Sequence, residues 1–240
     1  MSIVLQEAIV HSKLSFRERQ AVFWGFVFPL MLLVLFCSTF GGSPERATTL
    51  LAGVICINAM SGSLFGMAVV SVSAREAGIL RRYKVAPVAL WKIVIGLCAS
   101  RIFVIGLTSI LLVILGRFAY KATTPQNLGP FLAVFLAGTL MFCALSFAVA
   151  AISRSVAQAN GLAQVLFTPM MFLSGATLPY ELMPTWMQKV ALVLPATYYI
   201  RGLKSTLTGG GLEDNFASLA VMVVFSVLGI ALSVKFFRWD

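Results

Sequence analysis

Few residues in this chain can do chemistry, and their spacing argues against catalysis. Its eight acids are Glu7, Glu18, Glu45, Glu76, Glu181, Glu213, Asp214 and Asp240. All fall outside the long apolar runs, whereas ion-coupled carriers usually keep a buried carboxylate there for the coupling ion. The single histidine, His11, precedes the first apolar run, which removes a Ser–His intramembrane hydrolase and a histidine-based metal site. Cys37, Cys56, Cys98 and Cys143 sit inside or at the rim of apolar runs without metal-ligand spacing. They read as small buried hydrophobes, not as a disulfide framework or zinc site. No Gly-x-x-x-x-Gly-Lys-Ser/Thr loop is present, so the chain cannot hold ATP by that device. No catalytic or metal-binding residue is expected, and energy for any active transport would have to come from a partner.

One polar stretch stands out, Ser73-Ala-Arg-Glu-Ala-Gly-Ile-Leu-Arg-Arg-Tyr-Lys-Val-Ala-Pro87. Ser73 with Glu76 three residues on matches a capping box and predicts a helix beginning at Ala74. Pro87 disfavours helical geometry at Ala86 and should end it. Ile79 and Tyr83 share one stripe with Leu80 beside them, while Arg75 and Arg82 share another near Arg81 and Lys84. An amphipathic helix of this kind, between two apolar runs, is placed to meet a partner.

The rest of the chain must position that stretch. Of its 240 residues 60% are hydrophobic and 11% charged, with mean hydropathy +0.96; ordinary soluble domains are about 45–50% apolar and about 25% charged. The fold class is therefore all-α integral membrane, one transmembrane domain over residues 1–240. Six spans are expected, at Ala21–Phe40, Leu50–Val72, Ile93–Leu115, Phe131–Ile152, Leu162–Leu178 and Phe216–Phe237, each near the twenty or so residues that cross about 30 Å of hydrocarbon. The first is too late and too long for a cleaved signal peptide. Gly41-Gly42-Ser43-Pro44 marks a short turn between the first two.

The formal charge of +10 is explained by basic residues beside the spans, not by nucleic acid, for which no motif is present. With six spans, Lys13, Arg17, Arg19, Arg75, Arg81, Arg82, Lys84, Lys92, Arg154, Lys235 and Arg238 share one side. Arg46, Arg117, Lys121, Lys189, Arg201 and Lys204 lie on the other. The excess places both termini and the 73–87 helix in the cytoplasm. Residues 1–20, with Leu5 and Ile9 on one face, form an amphipathic helix at the membrane surface. Residues 179–215 hold two helices too short to span, bounded by Pro184, Pro195 and Gly209-Gly210-Gly211, and are expected to form an outer re-entrant hairpin, since irregular backbone is not tolerated against lipid.

Within the spans, Gly62 and Gly66 form a Gly-x-x-x-Gly face for close helix approach. Asn58, Ser61 and Ser63 lie nearby to bond a neighbouring helix or line a path. Arg101 is expected to snorkel toward the cytoplasmic headgroups, and Pro29 and Pro169 to kink their helices.

Two segments resemble one family. Arg75-Glu76-x-Gly78-x-Leu80-x-Arg82, closing on Pro87, resembles the cytoplasmic coupling helix of type-2 ABC (ATP-binding-cassette) transporter permeases, with Tyr83 a departure where an aliphatic residue is expected. Ser174-Gly175-x-x-Leu178-Pro179-x-Glu181-x-Met183-Pro184-x-Trp186-Met187-Gln188, continuing to Leu194-Pro195-x-Thr197-Tyr198, is similar to that family's outer-hairpin signature. The span number and length agree along the whole chain.

The resemblance implies a homodimer, or a heterodimer with a similar permease, in a bacterial inner membrane. It also implies two separate cytoplasmic ATPase subunits that carry the ATP and Mg; this chain holds no cofactor. Carried over residue by residue, it implies that Arg75, Glu76, Gly78, Ile79, Leu80, Arg81 and Arg82 dock the ATPase. Pro179, Met183, Pro184, Trp186 and Pro195 would form the outer gate. Phe26, Asn58, Ser61 and Phe172 are path candidates, since spans one, two and five line the path in such permeases. The expected cargo is an amphiphilic small molecule such as a drug, antibiotic or lipid-like compound. A polysaccharide or lipo-oligosaccharide is the alternative within the family, and an ion-coupled carrier or channel without an ATPase is the alternative outside it.

Overall fold

A computed structural model describes residues 12, 17, 19–78, 90–177, 180 and 183–236. Every regular element among them is helical, as the hydropathy predicts. We label the helices α1 (Phe23–Phe40), α2 (Pro44–Glu76), α3 (Leu90–Tyr120), α4 (Leu128–Ile152), α5 (Val156–Leu173), α6 (Thr185–Ala191), α7 (Pro195–Leu207) and α8 (Phe216–Phe236). The expected surface helix over residues 1–20 lies largely outside the described residues. Ser12 within it shares a 3.1 Å hydroxyl–hydroxyl hydrogen bond with Ser100 of α3.

Among the described residues five stretches are long and apolar enough to cross a membrane, namely Phe23–Phe40, Pro44–Glu76, Val94–Tyr120, Leu128–Ile152 and Glu213–Phe236. The sequence predicts six. The missing one is α5, which starts earlier than the expected Leu162 because Ser155 is its N-cap, accepting from the Gln158 amide at 3.2 Å. Its 18 residues reach about 27 Å, but Gln158, Asn160, Gln164 and Thr168 lower its apolarity. It runs antiparallel along α2. Val156 meets Glu76, the Phe167 and Phe65 rings touch at 5.4 Å, and Ala176 lies against Gly53.

The core is organised around α2. From Leu50 through Met60 every side chain is buried, because α1, α3, α4, α5 and α7 all pack on it. α7 is not a surface element. Its Tyr199 is fully buried, stacks edge-on to Phe142 of α4 and lies where a Cβ on Gly138 would be. α8 packs on α4, with Gly229 so close that a Cβ there would lie 2.8 Å from the Ala144 carbonyl carbon.

One local prediction is overturned. Ser73 does not start a helix; α2 runs through it to Glu76. The Ser-x-x-Glu spacing lacked the non-helical backbone an N-cap needs, and Val69–Val72 carry the helix into it instead. The Ala77 amide donates to Ser73 O, and Gly78 follows with φ +68°, the left-handed conformation that ends helices and suits glycine. The spacing that reads as a beginning is an end.

α3 stabilises two irregular turns in its neighbours. α1 contains a π-helical segment, Phe23–Val27, and α2 another, Leu64–Ala68. Pro29 has no N–H to offer the Gly25 carbonyl four residues before it; the Thr108 hydroxyl lies 2.8 Å from that oxygen. In α2 the Gly66 carbonyl accepts from Arg101 Nη2 at 2.7 Å. Thr108 and Arg101 are seven residues apart, on one face of α3. Arg101, expected to snorkel, is thus turned onto α2. The Gly62/Gly66 face is intrachain packing, since Gly62 abuts Ile105 and Gly66 abuts the Arg101 guanidinium. Thr108→Val keeps the shape but leaves the Gly25 carbonyl without that donor. It should lower stability in detergent by about 1–3 kcal/mol, and by less in a Pro29→Ala background that restores a backbone donor. Equal losses in both backgrounds would refute the compensation.

Candidate functional site

Of the residues expected to dock an ATPase, Ile79, Leu80, Arg81 and Arg82 lie outside the described residues. Arg75, Glu76 and Gly78 are at the end of α2. Both charged side chains are engaged within the chain. Arg75 donates to the Ala150 carbonyl at 3.4 Å and, through its other terminal nitrogen, to the Ser153 carbonyl. Glu76 accepts the Val156 amide at 3.0 Å. These partners flank the three-residue connection between α4 and α5. Arg75 thus caps the carbonyl end of α4 and Glu76 caps the amide end of α5, and each charge has the sign its helix dipole favours.

The path candidates separate. Asn58 is buried and its amide donates to the Ile105 carbonyl at 3.4 Å, so it joins α2 to α3. Ser61 donates to its own helix at Asn58 O. Phe26 lies in the π segment of α1. Phe172 is half exposed, 51%, on α5. It continues a stripe that sequence reading missed: Asn160, Gln164, Thr168 and Phe172 recur every fourth residue. Such residues share one helix face. Asn160 and Gln164 are exposed, and Gln164 Nε2 donates to Thr168 Oγ1 at 2.8 Å. Exposed amides along a helix of membrane-crossing length are costly against lipid and belong beside water or another polar surface. The signal was present in the sequence, but a span starting at Leu162 leaves Asn160 outside it.

Of the gate candidates, Pro179 lies outside the described residues. Met183 is buried, Pro184 and Trp186 are exposed, and Pro195 is buried as the first residue of α7. Gln188 holds this turn together. Its amide donates to the Met183 carbonyl at 2.9 Å and the Tyr180 carbonyl at 3.3 Å, while the Tyr180 hydroxyl donates back to Gln188 O at 3.4 Å. Arg201 of α7 sits 5.2 Å from the Tyr180 ring and 5.9 Å from that of Tyr198, within cation–π range. The hairpin is anchored beneath by Cys56 of α2, whose Sγ lies 3.9 Å from the Ala196 carbonyl.

Among the described residues no group of three or more histidine, cysteine or acidic side chains is arranged to hold a metal. The acids described, Glu45, Glu76, Glu213 and Asp214, are all exposed.

A family model described as ABC-2 type transporter matches residues 10–208. YvfS of Bacillus subtilis (strain 168), named as a transport permease, is 23% identical over 248 residues, covering 99% of this chain and 98% of that protein. Nodulation protein J of Rhizobium leguminosarum bv. viciae is 27% identical over 99 residues, 41% of this chain and 38% of its own. YbhR of Escherichia coli (strain K12), named as a multidrug ABC transporter permease, is 26% identical over 144 residues, 59% of this chain and 39% of its own. The match spans α1 to α7, including the capped α2 terminus; the chain belongs to the ABC-2 type transporter family, as a multi-pass permease subunit of an ABC transporter.

Proposed function

We propose that this chain is the membrane path of an exporter for an amphiphilic small molecule. Two copies would associate with two cytoplasmic ATPases that bind ATP and Mg. The observation that carries the reading is the stripe Asn160–Gln164–Thr168–Phe172 on α5, exposed at Asn160, Gln164 and Phe172 and half-buried at Thr168. It pairs neutral hydrogen-bonding groups with a ring and with exposed Val165. That surface suits a molecule with an apolar body and uncharged or zwitterionic polar groups. Because α5 lies alongside α2 for its whole length, it is read as a sixth crossing, which puts both termini on one side of the inner membrane, the cytoplasmic side by the excess of basic residues there. Residues 79–82 remain the docking surface for the ATPase. The segment from Met183 to Pro195 is the outer gate, and residues 179–215 the re-entrant hairpin. Similarity to YbhR, named for multidrug transport, is consistent with drug-like cargo.

The amide stripe also favours a second reading, a lipo-oligosaccharide whose hydroxyls would use the same groups. The two readings differ in what the stripe binds, and one experiment addresses both. Gln164→Cys in membranes should react with a charged, water-soluble thiol reagent, while Val223→Cys, exposed on α8, should not. Equal protection of both would end the proposal that the stripe lines an aqueous path. In the assembled transporter, Asn160→Leu with Gln164→Leu should raise the concentration of stimulating compound needed for half-maximal ATP hydrolysis by about tenfold. Drug-like amphiphiles and lipo-oligosaccharides tested side by side identify the cargo class.

A further inference from the structure

We propose that Arg75 and Glu76 are positioning residues, a clamp that carries movement of the α2 terminus into α5; this rests on the ATP-driven permease reading above. They are consecutive, and they seize the two sides of one short connection. Arg75 holds the Ala150 and Ser153 carbonyls, and Glu76 holds the Val156 amide. Around them the connection is already stiff. Ser155 Oγ accepts from the Gln158 amide, Gln158 Oε1 accepts from the Arg154 amide at 2.8 Å, and Ser153 Oγ donates to the Val149 carbonyl at 2.7 Å. The α4–α5 connection is therefore a rigid part bolted to the end of α2. Its attachment is polar and peripheral, since Glu76 is exposed, whereas the contact further along α2 and α5 is apolar, the half-buried rings of Phe65 and Phe167.

The consequence is directional. A displacement of the α2 terminus along or across the helix axis must either break three hydrogen bonds or take the start of α5 with it. The stripe on α5 begins at Asn160, about one turn beyond Val156. Motion received at the end of α2 thus reaches the proposed cargo surface through side chains of this chain alone. The charged pair next to the coupling segment is committed to that link and is distinct from the groups that would meet the ATPase.

Val156 occupies the first helical position of α5, where proline fits without disturbing the helix. The preceding Ser155 has φ −140° and ψ 159°, the extended geometry a following proline requires. Val156→Pro therefore removes the amide that Glu76 holds while keeping the backbone geometry, and exchanges one partly buried apolar side chain for another. The test uses the transporter purified with its ATPase and trapped with Mg-ATP and vanadate. Hydrogen–deuterium exchange is read over residues 162–173, away from the cap. The wild type should show a vanadate-dependent change in exchange there. Glu76→Ala and Val156→Pro should each shrink it about tenfold, and the double variant no further. Glu76→Gln, whose amide oxygen still accepts, should keep more than about half of it. All variants should co-purify the ATPase.

Retention of the full change in Val156→Pro overturns the clamp. So does equal loss in Glu76→Gln and Glu76→Ala, a pair that decides the matter without the proline variant. Release of the ATPase by Glu76→Ala, but not by Val156→Pro, would make Glu76 a docking group instead. Absence of any change in an ATPase-bound wild type would instead defeat the ATP-driven reading and the clamp with it.

Discussion

Replacing Gly53 by alanine is expected to destabilise the protein by about 3 kcal/mol and to abolish transport. Gly53 lies in the fully buried stretch of α2, and an added Cβ would stand 2.3 Å from the Ala176 carbonyl oxygen and 3.0 Å from its carbonyl carbon. The obstruction is backbone, so no rotamer change relieves it. Ala176 follows Gly175, whose φ of +91° turns the chain after α5 back onto α2, a conformation few other residues adopt. Alanine at 53 would push this turn away from α2, and with it both the end of α5 and the entry to the hairpin. Thermal unfolding in detergent and the amount of chain recovered from membranes measure the effect. Gly161→Ala is the control, since nothing lies within 4 Å of a Cβ there. Similar losses for the two variants would mean that helix propensity, not the close approach, decides the outcome.

The second large effect concerns Tyr199. A Cβ on Gly138 would lie 2.2 Å from Cδ2 of the Tyr199 ring, so Gly138→Ala must displace the largest fully buried side chain among the described residues. Tyr199→Ala should cost about 3–5 kcal/mol by leaving a cavity between α4 and α7. Gly138→Ala should cost about 1–3 kcal/mol by overpacking. Combined with Tyr199→Leu, the Gly138→Ala penalty should fall, because the smaller side chain yields the space that the new methyl needs. Additive losses would show that the two residues do not share one site. Tyr199→Phe is a milder probe, since the hydroxyl lies 3.4 Å from Phe135 O and 3.5 Å from Thr139 Oγ1; its cost should be about 1 kcal/mol.

Much of the fold was legible as hydropathy. Long apolar runs have one solution in lipid, a helix that satisfies its own backbone, and α1 to α4 and α8 appear where composition requires them. Their ends were less legible. α2 begins at Pro44 rather than Leu50, because Ser43 accepts the Arg46 amide and Pro44 suits the first helical position. α3 continues to Tyr120, whose hydroxyl reaches the Val34 carbonyl and the Ser38 hydroxyl of α1. Polar residues near the rim belong to helices when a neighbour takes up their hydrogen bonds, and hydropathy does not record neighbours. α5 shows the same limit inside the bundle. Its amides weaken the apolar signal because of the face they occupy, and that face is defined only once α2 covers the other side.

Residues 73–78 mark the boundary between the two kinds of information. Composition by itself determined that this is a membrane protein whose apolar runs contain no carboxylate. Charge counting suggested where the polar stretch sits, and its residue types carried the family resemblance. Tertiary structure decided what Arg75 and Glu76 hold. A Ser-x-x-Glu spacing specifies only a local option, and a helix already under way through Val72 removes it. The carboxylate then takes an amide 80 residues away, and the guanidinium takes carbonyls 75 and 78 residues away. Hydrogen-bond partners at that separation are chosen by how α4 and α5 pack beside α2, and packing is a property of the assembled helices, not of any stretch of the chain.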